Sequence, residues 1–120
     1  FHSFEKQVLP ELNRRGIPVL AGTDGAGIEL IRDLELYVAG GMSPGDALAT
    51  ATINPARAFK QDREIGSIAV GKRADLLLVD GDPAANVRVL QDKSRILAIM
   101  KDGEFYKAPK MNEQRRRLTA

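Results

Sequence analysis

Few side chains in this sequence could carry out chemistry, and the most suggestive of them is Asp24. It follows an apolar run over residues 17–22 and lies between Thr23 and Gly25. An aspartate in this position could bind a metal ion or accept a proton from water. Aspartate at such a position could also simply be a turn or helix-capping residue, where it is common. The residues alone leave both interpretations open.

Other candidate ligands are sparse. His2 is the single histidine, and it could be a metal ligand or a solvated residue near the chain start. Glu29 and Asp33 lie four residues apart on one face of a predicted helix, where they could add oxygen ligands or form a solvated charged face beside Arg32. Gly22, Gly25 and Gly27 lack the spacing of a dinucleotide fingerprint.

Composition narrows the function classes. The 120 residues include 43% hydrophobic and 28% charged residues, which is typical of one globular domain. Net charge is only +2 and the basic excess lies near the C-terminus, so neither nucleic acid nor a membrane is a predicted partner. The lack of cysteine excludes disulfides, thiolate zinc sites and cysteine nucleophiles. No signal peptide is recognised at the start, and we expect a cytoplasmic protein.

The first half of the chain is predicted to place Asp24 between a strand and helices. Apolar residues recur at helical spacing from Ser3 to Arg15, and Gly16 should end this helix. Residues 17–22 lack polar alternation, as in a strand that is covered on both faces. A second helix is predicted over residues 28–39.

Two further helix starts follow. Ser43 as N-cap and Pro44 at the first helical position predict a third helix that ends near Asn54. Asn54 and Pro55 repeat this pattern and predict a short helical turn through Phe59. The predicted order is therefore helix-strand-helix-helix.

The second half is predicted to form short strands, with β-type runs at residues 65–71, 74–80, 95–101 and 104–107. Asp102 and Gly103 separate the last two runs and suit a type I′ hairpin turn. Asp75 and Asp82 are interpreted as structural strand-edge and turn residues.

Several stretches together resemble the amidohydrolase superfamily. Residues 20–24 resemble the end of its last barrel strand, and residues 41–56 are similar to the helices that follow it. Residues 65–83 and 99–104 resemble strands of its small β-sandwich. The resemblance covers about residues 1–107 in the right order, and imidazolonepropionase-like and dipeptidase-like members are the most similar.

This resemblance implies an α/β fold class. Residues 1–60 would be the C-terminal piece of a (β/α)₈ barrel, residues 61–107 would be β-sandwich strands, and residues 108–120 would form a basic tail. It also implies that Asp24 binds a divalent metal, zinc or manganese, and accepts a proton from the attacking water. The substrate would be a small molecule with an amide, lactone or phosphoester bond.

The sequence also departs from the family pattern. It lacks the family's His-x-His pair and most of the barrel strands, and His2 matches no ligand position of the family. A catalytic zinc normally takes three protein ligands, of which one chain supplies one. We therefore expect a homo-oligomer in which Asp24, with His2 as a further ligand, completes a hydrolase site. An inactive amidohydrolase fragment and an assembly module are the alternatives.

Overall fold

A computed structural model describes residues 2–25 and 29–110, and of His2, Phe4 and Glu5 it describes the backbone alone. The α-helices of these residues are α1 (His2–Arg14), α2 (Leu30–Ala39), α3 (Pro44–Thr50) and α4 (Ile53–Ala58). The strands are β1 (Leu76–Val79), β2 (Ile96–Lys101) and β3 (Glu104–Lys107). We call residues 2–58 the helical half and residues 76–107 the sheet half. In the described part of the chain, no helix is long and apolar enough to cross a membrane.

The helix ends follow local chemistry that the sequence makes visible. Gly16 has φ 70°, and the Ile17 N–H donates to the Leu12 carbonyl oxygen at 2.9 Å, so α1 ends at the predicted glycine. At α3, the Asp46 N–H donates to Ser43 Oγ at 3.1 Å, which confirms the predicted N-cap.

The prediction that Asn54 caps a helix was wrong. Helix α3 already ends at Thr50, and α4 begins at Ile53, before Asn54. Asn54 lies inside α4 and uses its side-chain Nδ2 to donate to the Val19 carbonyl oxygen at 3.1 Å. A tertiary hydrogen bond has therefore replaced the local one that the sequence pattern suggested.

The predicted strand over residues 17–22 was also wrong, because this segment belongs to no sheet of the described residues. A strand needs a neighbouring strand to satisfy its backbone groups. Here the helical half does so instead: the Ala21 N–H donates to the Thr50 carbonyl oxygen at 2.8 Å, and Asn54 bonds the Val19 carbonyl. The helix-strand-helix-helix order is thus observed with an extended segment in place of the strand.

The predicted β-type run at residues 65–71 forms turns and bends and no strand. Gly66 and Gly71 have φ values of 95° and 90°, which interrupt an extended conformation at both ends. Ile68 and Val70 remain fully or nearly fully exposed between them. The apolar residues of this run therefore pack against no partner strand among the described residues.

The remaining strand predictions are confirmed. Strands β1, β2 and β3 form an antiparallel sheet in that order, with β2 in the middle. Asp102 and Gly103 join β2 to β3 with φ values of 49° and 81°, as a type I′ turn requires. Strand β2 is therefore paired on both sides.

The buried core cluster is built mainly from the helical half. The cluster consists of Leu34 of α2, Met42 in the loop before α3, Ala47 of α3 and Val87 of the 3₁₀ turn at Val87–Gln91. Thr50 is buried as well, and its hydroxyl donates to the Ala47 carbonyl oxygen at 2.6 Å. This cluster supports the segment that carries Asp24, because Val19 and Ala21 pack against it.

Candidate functional site

Asp24 lies at the end of a segment with two different sides. Val19 and Ala21 are partly buried against the core, whereas Leu20 is 38% exposed. Alternation with a period of two is what an extended backbone produces. Asp24 is exposed, so its carboxylate is open to water and to any partner that covers this segment.

A second carboxylate lies at the same loop. A Cβ atom added to Gly25 would overlap the carboxylate of Glu29, so the Glu29 side chain rests against the backbone of the residue after Asp24. The Gly25 N–H donates to Thr23 Oγ1 at 3.0 Å and holds the turn between them. A side chain at position 25 would displace the exposed Glu29 carboxylate from this position.

The acidic character continues along α2. Burial raises the pKa of the Asp33 carboxyl, and the nearby Glu29 charge raises it further. Burial likewise raises the pKa of the Tyr37 hydroxyl, with Asp33 adding to the effect. Arg32 donates to Glu35 at 3.0 Å. This face thus presents acidic groups, and a cation would relieve their mutual repulsion.

The described residues of one chain do not make up a metal site. Within residues 2–25 and 29–110, no group of three or more histidine, cysteine, aspartate or glutamate side chains is arranged to hold a metal ion. Asp24 supplies one carboxylate, whereas a catalytic zinc normally takes three protein ligands. His2 is the first residue of α1, and its imidazole lies outside the described atoms, so its part in the site stays a prediction.

The two aspartates of the second half have the structural roles that were predicted. Asp75 accepts from the Asp102 N–H at 2.8 Å and pairs with Lys101 at 3.4 Å. These contacts, the backbone hydrogen bond first, lower the pKa of the Asp75 carboxyl. Asp82 accepts from the Ala84 N–H at 2.9 Å in a turn. Both aspartates organise backbone around the sheet and are no part of the candidate site.

Sequence reasoning missed an apolar groove between α4 and β1. Its volume is about 470 Å³, and its lining includes Phe59, Ile65, Ile68 and Leu77. Asp24 is not among its lining residues, so the groove is separate from the candidate site. The sequence contains the apolar residues that line the groove, but no pattern in the sequence predicts that the groove forms between α4 and β1.

Comparison with known proteins identifies the family. The profile described as "Amidohydrolase family" matches residues 4–106, so this chain belongs to that family. It is 60% identical to an imidazolonepropionase of Geobacillus sp. (strain WCH70) over 40 residues, which are 33% of this chain and 9% of that protein. It is 29% identical to ochratoxinase of Aspergillus niger over 99 residues, which are 80% of this chain and 21% of that protein.

Solved structures support the same assignment. The crystal structure of Aspergillus niger ochratoxinase matches with a TM-score of 0.77 and 25% identity over 89% of this chain and 25% of that chain. A Xaa-Pro dipeptidase with bound methionine in its active site matches with a TM-score of 0.74 and 26% identity over 86% of this chain and 25% of that chain. The chain thus spans about a quarter of these structures, and the α/β class is confirmed.

Proposed function

We propose that this chain provides the Asp24-bearing part of a metal-dependent hydrolase, and that a second copy of the chain completes the site. The substrate would be a small molecule with an amide, lactone or phosphoester bond. The observation that carries the proposal is the exposed Asp24 at the end of the 17–23 segment, which is the position where the family resemblance expects a metal ligand and proton acceptor. The predicted cytoplasmic location belongs to this proposal.

The chemistry assigned to Asp24 is that of a general base. Its exposed carboxylate can accept a hydrogen bond from a water molecule and take its proton as that water attacks the substrate. A divalent metal, when bound, lowers the pKa of its water towards about 7. Glu29, held against Gly25, adds negative charge to the same loop and would favour the binding of a cation there.

A second copy is proposed because one chain brings too few ligands. A two-fold axis near residues 23–25 would bring two Asp24 carboxylates together, with His2 of either chain as a further ligand for zinc or manganese. Two carboxylates at such a short distance repel each other when no cation lies between them. Removal of the metal should therefore weaken the assembly as well as stop turnover.

The test is elemental analysis of the purified protein, combined with a hydrolysis screen over amides, lactones and phosphodiesters with and without chelator. Asp24→Ala should lose the metal and reduce turnover by about a hundredfold or more, as expected for a lost general base. Asp80→Asn is the matched control, because it removes an exposed carboxylate of the sheet half. Metal content and turnover that persist in Asp24→Ala would contradict the proposal.

The alternatives are a catalytically inactive amidohydrolase fragment and an assembly module. They are favoured by the lack of a three-ligand group within residues 2–25 and 29–110 and by the apolar surface of the sheet half. A metal-free oligomer without turnover in the same screen would support the assembly module.

A further inference from the structure

The sequence contains three Asp-Gly pairs, at residues 24–25, 80–81 and 102–103. In such a pair the glycine amide nitrogen can attack the carboxyl carbon of the aspartate, because glycine has no side chain that blocks the approach. The three dipeptides are chemically alike, so only their surroundings can give them different reactivities. In this structure the surroundings differ in which atoms of the peptide bond take part in hydrogen bonds.

Two of the pairs are held by a hydrogen bond at the attacking nitrogen. The Gly25 N–H donates to Thr23 Oγ1 at 3.0 Å, and the Gly103 N–H donates to the Ala74 carbonyl oxygen at 3.1 Å. The nitrogen must lose its proton and rotate towards the carboxyl group before it can react. A hydrogen bond from this N–H opposes both events, because the hydrogen bond is lost when they occur. These two pairs are therefore protected by the turns in which they lie.

The pair that follows β1 has a different arrangement. Arg95 Nη1 donates to the Asp80 carbonyl oxygen at 3.1 Å, and the Asp80 N–H donates to the Arg95 carbonyl oxygen at 2.7 Å. The Asp80 carbonyl oxygen belongs to the peptide bond that joins Asp80 to Gly81. When the Gly81 nitrogen loses its proton, this oxygen shares the negative charge, and a guanidinium beside it stabilises that charge. Arg95 therefore activates the nitrogen of this pair.

The other atoms of the pair permit the reaction. Asp80 is exposed, and within residues 2–25 and 29–110 neither its carboxylate nor the Gly81 N–H has a hydrogen-bond partner. Gly81 has φ 140° in the bend after β1, a conformation that residues with side chains rarely adopt. Both contacts with Arg95 lie between residues of this region and require no further partner.

We infer that Asp80 is a site of spontaneous backbone modification, at which the Asp80-Gly81 pair converts to isoaspartate. The Gly81 nitrogen forms a bond to Asp80 Cγ, and its proton leaves with the carboxyl hydroxyl as water, which closes a succinimide ring. Water then adds to one of the two carbonyl carbons that flank the ring nitrogen. Addition at Cγ returns aspartate, whereas addition at the main-chain carbon leaves isoaspartate, in which the backbone runs through Cγ. The reaction needs no oxidant and no reactant other than water.

Arg95 also stabilises the product of this reaction. In isoaspartate the former Asp80 carbonyl group becomes a free carboxylate, and it carries the oxygen to which Arg95 donates. A guanidinium binds a carboxylate more strongly than it binds a neutral carbonyl oxygen. The same arginine therefore favours both the deprotonated peptide bond and the modified chain. The proposed hydrolase site plays no part in this inference.

The test is peptide mapping of the purified protein after prolonged incubation at about pH 5, where a fraction of ordinary aspartate carboxyls carries the proton needed to lose water. Trypsin should release the three pairs in separate peptides, residues 16–32, 74–88 and 102–107. Electron-transfer fragmentation distinguishes isoaspartate from aspartate in each peptide. Asp82 in the second peptide precedes Pro83, which has no N–H and cannot close the ring.

The folded protein should accumulate isoaspartate about tenfold faster at residue 80 than at residues 24 and 102, as expected for hydrogen bonds that favour one pair and oppose the others. In concentrated urea the three rates should become similar, because these contacts are lost. Equal rates in the folded protein, no isoaspartate at residue 80, or the same preference in urea would overturn the inference.

Two variants test the part played by the individual groups. Arg95→Gln should slow the modification of residue 80 by about threefold to tenfold, since it removes a charge-assisted hydrogen bond from a half-exposed side chain. The rates at Asp24 and Asp102 should stay as in the parent protein, which reports that the fold is intact. Asp80→Glu is the matched control: it keeps the charge, but its longer side chain cannot close a succinimide, and residue 80 should stay unmodified. An unchanged rate at residue 80 in Arg95→Gln would contradict the role of the arginine.

Discussion

Leu34 in the helical half and Leu77 in the sheet half lie in opposite environments. Leu34 of α2 is 2% exposed and lies in a cluster with Met42, Ala47 and Val87. Leu77 of β1 is 55% exposed and lies at a sheet edge beside an open groove. The helical half therefore supplies most of the core cluster, which Val87 completes, whereas strand β1 exposes apolar residues of a kind that normally require a covering partner. Surface that a fold leaves apolar is where a partner is most expected.

The largest expected effect would come from removing the centre of the helical core. Leu34→Ala should lower the free energy of unfolding by about 2–5 kcal/mol, because it creates a cavity among residues that are already packed. Leu77→Ala, measured at a concentration where the protein is monomeric, should cost less than about 1 kcal/mol. Urea unfolding followed by circular dichroism measures both. Equal losses would contradict the contrast between the two halves.

A smaller effect is expected at the hairpin that holds β2 and β3 together. Gly103 has φ 81°, and a side chain there should cost about 1–2 kcal/mol even though a Cβ atom would meet no neighbour within 4 Å. Gly45→Ala is the control, since position 45 is also open and lies in α3 without a positive φ. It should be neutral or slightly stabilising. A stability loss for Gly103→Ala no larger than that of the control would show that the turn conformation is not what stabilises the hairpin.

The smallest expected effects concern how the folding stability of each half depends on pH. The pKa of Asp75 in the sheet half is lowered from its ordinary 3.8, so its stabilising contribution is complete above about pH 3.8 and is lost as the pH falls through the lower folded value. The pKa of Asp33 in the helical half is raised, so its ionisation destabilises the fold as the pH rises through the folded value.

These two signs can be measured with matched amide variants. At pH 7, Asp75→Asn should decrease the thermal midpoint and Asp33→Asn should increase it. At a pH below the folded-state pKa of Asp75, both carboxyls are protonated in either state, and the variants should approach the parent protein. Shifts of the same sign for the two variants at pH 7 would show that their environments do not differ as described.

Much of the local structure was predictable from the sequence because its causes are local. Gly16 ends α1, Ser43 caps α3, and Asp102 with Gly103 forms the β2–β3 turn, each through backbone preferences and hydrogen bonds within a few residues. The family assignment rested on a similar ordered set of short motifs and is confirmed by the match over residues 4–106. Of the predicted basic tail over residues 108–120, residues 111–120 lie outside the described residues.

The features that only the tertiary structure decided depend on contacts between residues that are far apart in the sequence. Residues 17–22 have a strand-like composition, but a strand exists only where another strand satisfies its backbone, and here Thr50 and Asn54 do so instead. The position of the Glu29 carboxylate against Gly25 likewise required the loop to fold, since neither residue's type implies the contact. The sequence by itself determined which residues could act and where the chain turns. The packing of Val19 and Ala21 against the core cluster decided that Asp24 remains exposed, because only packing determines which apolar and charged groups lose contact with water.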